Sequence, residues 1–184
     1  AMQPTGCDVT TWENGCVNKI PFCKSLFTPT CNCVSLRIEN DYKLVALPDS
    51  LVDEMTGLRK VFIRNCNLTK LPPKMEQLTE MVDFEISFNR LEEFMVDVGK
   101  WEKLRRLFLM YNYIAKYDEK AVWAHQNVDS IDMGDNIGMT MPLAQSTVSM
   151  PSLQYLNLGN NTMNINWIFD TSRYPSMKYL YLNG

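Results

Sequence analysis

The sequence predicts an α/β solenoid, with a parallel β-sheet on a concave side, short helical or irregular returns on a convex side, and a small stapled cap at the N-terminus. Three observations predict it. One apolar-and-polar pattern recurs along the chain, its starts fall at a steady step, and most of the cysteines crowd into one end. The clearest copy is Leu153, Leu156, Leu158, Asn161 and Met163, which reads L-x-x-L-x-L-x-x-N-x-apolar. Alternate side chains of a short strand face opposite ways, so Leu156 and Leu158 point inward while Tyr155, Asn157 and Gly159 point outward. One such copy cannot bury its apolar side alone and needs neighbours stacked on both faces.

The neighbours are present. The same frame starts at residues 33, 58, 81, 104, 128, 153 and 177, in steps of 23 to 25. That step lies inside the roughly 20–29 residues of leucine-rich repeats, so the predicted solenoid is a leucine-rich-repeat horseshoe. Residues 1–32 form the cap and 33–184 the repeats. The position three places after the last strand core residue holds Asp41, Cys66, Asn89, Asn112, Asn136 and Asn161 in turn. An Asn amide both donates and accepts, so this column can satisfy the backbone groups that each turn leaves unpaired inside. The seventh copy stops at Gly184 before its ladder residue and return, which predicts the N-terminal part of a longer solenoid.

Composition fits a folded chain. With 184 residues, 46% of them apolar and 21% charged, it is long enough to bury roughly 70% of its unfolded surface. The net charge of −3 argues against a nucleic-acid or anionic-membrane partner. No apolar run approaches the ~18 residues of a membrane helix. Twelve Met residues suit gap-filling in an imperfectly periodic core.

Cys7, Cys16, Cys23, Cys31 and Cys33 lie in the cap and at its border, while Cys66 occupies a ladder slot. Cysteines packed into one end-segment read as disulfides of an extracellular scaffold. Five is odd, so one of them is free or pairs elsewhere, and the pairing cannot be read from the sequence. Zinc is disfavoured, because no C-x-x-C occurs and the single His125 stands apart. Two sequons, at Asn67 with Thr69 and at Asn160 with Thr162, are glycosylation candidates in a secreted chain.

Repeats of about 24 residues, the L-x-x-L-P continuation Leu68 to Pro72, and the Cys-rich leading segment resemble extracellular leucine-rich-repeat ectodomains of the typical class. The resemblance covers residues 7–184. The cap, with Trp12, Cys16, Pro21-Phe22-Cys23, Cys31 and Cys33, departs from the usual animal spacing and lacks the plant-receptor pattern. It is similar to the caps of leucine-rich-repeat surface proteins of oomycetes. The resemblance implies ligand recognition without catalysis.

On such a scaffold function belongs to the outward strand positions, which form columns because adjacent strands lie ~4.8 Å apart. The first column reads Ser35, Lys60, Asp83, Arg106, Ser130, Tyr155, Tyr179, and the second Arg37, Phe62, Glu85, Phe108, Asp132, Asn157, Tyr181. The third reads Glu39, Arg64, Ser87, Met110, Gly134, Gly159, Asn183. Over the first four repeats the charges alternate and are expected to pair with one another. Over the later repeats the face turns aromatic, with Phe108, Met110, Tyr111, Tyr113, Tyr155, Tyr179 and Tyr181. Gly134 and Gly159 are expected to leave a hollow beside Asn157 for a partner's side chain, with Asp132 placed to receive its Lys or Arg. An aromatic patch of this kind suits an interface hot spot.

Other chemistry is weakly represented. One histidine, in a return segment, offers no nucleophile–base pair, and Asp129, Asp132 and Asp135 do not match a calcium loop. No cofactor, metal or enzymatic activity is expected. The reading is a protein- or peptide-binding module without direct membrane insertion, monomeric rather than homo-oligomeric. It is the N-terminal part of a secreted or cell-surface, receptor-like ectodomain. The alternatives are a soluble secreted inhibitor or decoy of a foreign enzyme, and an adhesion protein with homotypic contacts.

Overall fold

The computed structural model describes residues 7–9, 33–136, 139, 148–161 and 171–183. Eight strands form one parallel sheet: β1 Cys7–Val9, β2 Cys33–Glu39, β3 Lys60–Arg64, β4 Asp83–Ser87, β6 Arg106–Phe108, β8 Ser130–Asp132, β9 Tyr155–Asn157 and β10 Tyr179–Tyr181. They are stacked in that order. Between them β5 Glu93–Phe94 and β7 Lys116–Tyr117 pair in parallel as a small second sheet. Among the described residues the returns hold two short helices, α1 Leu51–Glu54 and α2 Glu119–Trp123, and 3-10 turns at Met75–Gln77, Val98–Lys100 and Thr171–Arg173. The α/β solenoid read from the period is therefore the observed architecture, and the starts at 58, 81, 104, 128, 153 and 177 each lead into a strand of the large sheet.

The pattern of apolar residues explains the stacking. Leu36, Ile38, Val61, Ile63, Phe84, Ile86, Leu107, Leu109, Ile131, Met133, Leu156 and Leu158 are all buried, as are the frame-opening Leu58, Met81, Leu104, Val128 and Leu153. Burying each such side chain contributes roughly 1.5–3 kcal/mol, so the continuous column between sheet and returns holds the fold together. Trp101 is buried in that column, its ring 5.0 Å from Phe84 and its indole N–H donated to the Met75 carbonyl. The return caps are local: Asp118 accepts from the Ala121 amide at the start of α2, and Asp97 from Gly99.

Asparagine makes the spine. Asn112 accepts from the Leu91 amide and donates to the Ile86 and Leu109 carbonyls, and Asn89, Asn136 and Asn161 repeat the arrangement. The spine fails at its N-terminal end. Cys66 makes only weak sulfur contacts, with the Arg64 carbonyl at 3.5 Å and the Asp41 amide, and Asp41 binds the Lys43 amide through one oxygen while its other oxygen is buried without a partner. A thiol donates and accepts only weakly and a carboxylate cannot donate, so neither matches the amide.

His125 is structural, as its place in a return segment implies. It is buried, with Nε2 against the Trp101 carbonyl and Nδ1 accepting from the amides of Asn127 and Val128. Two amides facing Nδ1 fix the neutral tautomer with its proton on Nε2, and burial lowers the ring's pKa. Cys16, Cys23 and Cys31 lie outside the described residues. Of Cys7 and Cys33 only the backbone is described, and it pairs them as neighbours in β1 and β2. The disulfide expectation for these five falls outside the described residues with them.

Candidate functional site

Strand register sets the outward columns in place. Lys60 stands beside Asp83, Asp83 beside Arg106, and the series continues through Ser130 and Tyr155 to Tyr179. The second column runs Arg37, Phe62, Glu85, Phe108, Asp132, Asn157, Tyr181. Every strand member of the predicted face is thus on one surface, and the contacts within it divide that surface.

In the first half the carboxylates are taken. Arg106 forks between Asp83 at 2.9 Å and Glu85 at 2.8 Å, and the buried Glu85 also accepts from the Ser87 hydroxyl at 2.7 Å. Arg37 pairs with Glu39 along its own strand. Charge pairing was expected here, but Lys60 and Arg64 have no ion pair among the described residues. Arg64 instead lies over the Phe88 ring, 4.9 Å from its centroid, just as Arg37 covers Phe62 and Arg106 covers Phe108. The pairing differs because Arg106 reaches both neighbouring acids and leaves none for the lysine.

In the second half an aromatic tract draws its rings from β6, β9 and β10. Phe108 packs on Tyr155 with centroids 5.9 Å apart, and Tyr155 on Tyr181 at 5.8 Å. Tyr181 and Tyr179 are 46% and 57% exposed. Tyr155 is pinned underneath by donating its hydroxyl to Asp132 at 3.2 Å. Burial raises the pKa of that hydroxyl, and the adjacent carboxylate raises it further.

Two expectations are corrected here. Asp132 does not stand open for a partner's base. It is buried, and it accepts from the Gly134 amide, the Tyr155 hydroxyl and the Asn157 amide at 3.0–3.2 Å. Burial raises its pKa, and those three donors oppose the rise. The glycine hollow is also filled, by Asn157. Its Nδ2 donates to Asp132, its Oδ1 accepts from the Gly159 amide at 3.0 Å, and a Cβ at Gly134 would come 3.0 Å from Nδ2. A Cβ at Gly159 would come 2.8 Å from the Asn183 carbonyl oxygen. The glycines make room for a side chain and a backbone of this chain itself.

Met110, Tyr111 and Tyr113 lie beyond the end of β6, on the rim where the strands turn rather than on the sheet. The rim carries a second column, which the sequence reading missed. The residue before each ladder position is left-handed: Asn40, Asn65, Phe88, Tyr111, Asp135 and Asn160 have φ between 53° and 58°. Asn and Asp tolerate that conformation, whereas a bulky residue there costs on the order of 1–3 kcal/mol. The two aromatic members stack face to face at 4.3 Å and 10°. The polar members bridge likewise, Asn65 to Asn40 at 2.7 Å and Asn160 to Asp135 at 2.9 Å. Both sequon asparagines therefore have engaged amides, since Asn67 donates to the Tyr42 carbonyl. The offset of one from the ladder position was the signal that could have found this column.

Among the described residues no three metal-ligating side chains come together. Cys66 is buried, and burial raises its thiol pKa, which leaves it a poor nucleophile or ligand.

No protein-family model matches this chain, and no curated protein matches it. Among solved structures, the TLR13–ssRNA13 complex matches with a TM-score of 0.69 at 18% identity, over 91% of this chain and 23% of that one. An internalin from Listeria monocytogenes matches with a TM-score of 0.39 at 14% identity, over 80% of this chain and 58% of that one. The chain thus spans less than two thirds of the length of either. The first likeness shows the leucine-rich-repeat fold, and at this identity it shows the fold alone.

Proposed function

We propose that this chain is a recognition module that binds a protein or peptide on its concave face, within a secreted or cell-surface, receptor-like ectodomain. The observation that supports this is the Phe108–Tyr155–Tyr181 tract. It is aromatic and open on its outer side, and Tyr155 is held from below by the buried Asp132. Rigid aromatic area with little rotamer entropy to lose is what interface anchors supply. The cysteine-rich cap and the two sequons motivate the extracellular setting.

Peptides selected from a display library on the wild-type face test this. The double variant Tyr155→Ala, Tyr181→Ala should keep its circular dichroism and lose binding by at least about tenfold. Full retention of binding by the folded double variant places the site elsewhere. Dimerisation that rises with concentration and disappears in that variant favours the adhesion reading.

A second reading is single-stranded RNA. Arg64, which has no ion pair among the described residues, lies over the Phe88 ring and joins positive charge to a flat ring, the combination that tracks unpaired strands. The fold neighbour was solved as an RNA complex, so the fold lends no support to excluding nucleic acid on net charge. Titration with RNA oligonucleotides at two salt concentrations separates the readings, because phosphate contacts weaken steeply as salt rises.

A further inference from the structure

Phe88 and Tyr111 stand in a column that takes Asn or Asp at its four other places. Neither aromatic residue is required by the backbone there, and both oppose its left-handed conformation. What they build is a stack: the Arg64 guanidinium, then the Phe88 ring at 4.9 Å, then the Tyr111 ring at 4.3 Å. The stack is closed at the Arg64 end. At the other end Tyr111 is 48% exposed. The next place in the column is Asp135, reached one repeat on, where the Tyr111 amide donates to the Gly134 carbonyl. Asp135 spends Oδ1 on Asn160, and no ion pair forms on its carboxylate among the described residues.

An open phenol face beside a carboxylate is a receptor for a cation, since the ring's negative face and the acid attract the same charge. We infer that the rim of β6 and β8 binds a basic side chain, Lys or Arg, of a partner protein or peptide, seated on Tyr111 with its charge against Asp135. The stack repeats its own logic: a guanidinium covers one end from within the chain, and a partner's cation covers the other. Charge complementarity supports a basic occupant, because the chain carries a net charge of −3 and Asp135 on this rim has no ion pair among the described residues. The site is separate from the Tyr155–Tyr181 tract and does not depend on it.

The probe is a short capped arginine peptide, with its citrulline counterpart keeping the planar head and losing the charge. Binding to the whole chain is followed by NMR through the amides of residues 110–113 and 134–136. The arginine peptide should shift those amides and the citrulline peptide should not. Tyr111→Asn puts into the column the residue found at 40, 65 and 160, so it should leave the melting temperature no lower while weakening the peptide by about fivefold or more. Asp135→Asn should weaken it several-fold, and Tyr155→Ala with Tyr181→Ala should leave it unchanged. Equal shifts with citrulline, or wild-type affinity in the folded Tyr111→Asn chain, overturn the inference.

Discussion

The two halves of the solenoid differ in both their spine and their surface. After β2 and β3 the spine is Asp41 and Cys66, which bridge repeats less well than amides do, while the outer face from β2 to β6 uses its own charges: Glu39 on Arg37, and Asp83 with Glu85 on Arg106. From β4 to β9 the spine is an unbroken run of Asn89, Asn112, Asn136 and Asn161, while the outer face of β6, β9 and β10 leaves its rings uncovered. Internal satisfaction lies inside the later repeats, and unsatisfied apolar surface lies outside them. A binding surface needs a backbone that holds its anchors still, and here the open rings sit over the better-bonded spine.

The largest expected effect breaks the spine where it is complete. Asn112→Ala strands the Leu91 amide and the carbonyls of Ile86 and Leu109, and should cost about 3 kcal/mol or more in urea unfolding. Cys66→Ala, which loses only weak sulfur hydrogen bonds to the Arg64 carbonyl and the Asp41 amide, should cost about 1 kcal/mol. Equal losses would erase the contrast between the two halves.

On the paired surface, Glu85→Ala removes a buried carboxylate from Arg106 and Ser87, and should cost about 2 kcal/mol by the same measurement.

A pH titration sharpens the contrast further. The folded His125 has its pKa lowered from 6.5 by burial, so the unfolded chain binds the proton more readily. Its contribution is complete above pH 6.5 and declines as pH falls below it. The melting temperature should drop from pH 7 to pH 5, and His125→Gln should flatten that drop. Asp132 acts in the opposite sense, since its folded pKa is raised from 3.8 and its contribution fades as pH rises through that raised value.

The smallest effect belongs to the open face. Tyr181→Ala should move stability by within about 0.5 kcal/mol, because the side chain stands out from the last described strand. A loss like that of Glu85→Ala would mean that the tract serves the fold rather than a ligand.

Much of this was legible in the residues. The step of 23 to 25 between repeat starts fixed which side chains share a column, and strand register kept the first and second of those columns in full. The place of His125 in a return was enough to read it as structural. Asp132 was misread because alternation says which way a residue points and says nothing of what leans over it. Tyr155 and Asn157 from the next strand close upon that carboxylate. Phe88 was passed over because an aromatic residue does not by its own type mark a left-handed backbone, and only its place one before the ladder position does.

The sequence by itself determined the repeat, the parallel sheet and the membership of its faces, because these follow from periods of two and about twenty-four in side-chain polarity. Only the tertiary structure decided which outward groups are spent and which are free. That depends on the reach of individual side chains across neighbouring strands. Arg106 takes two acids and leaves Lys60 none, Asn157 fills the space two glycines make, and Tyr111 closes one side of a stack and leaves its other side open.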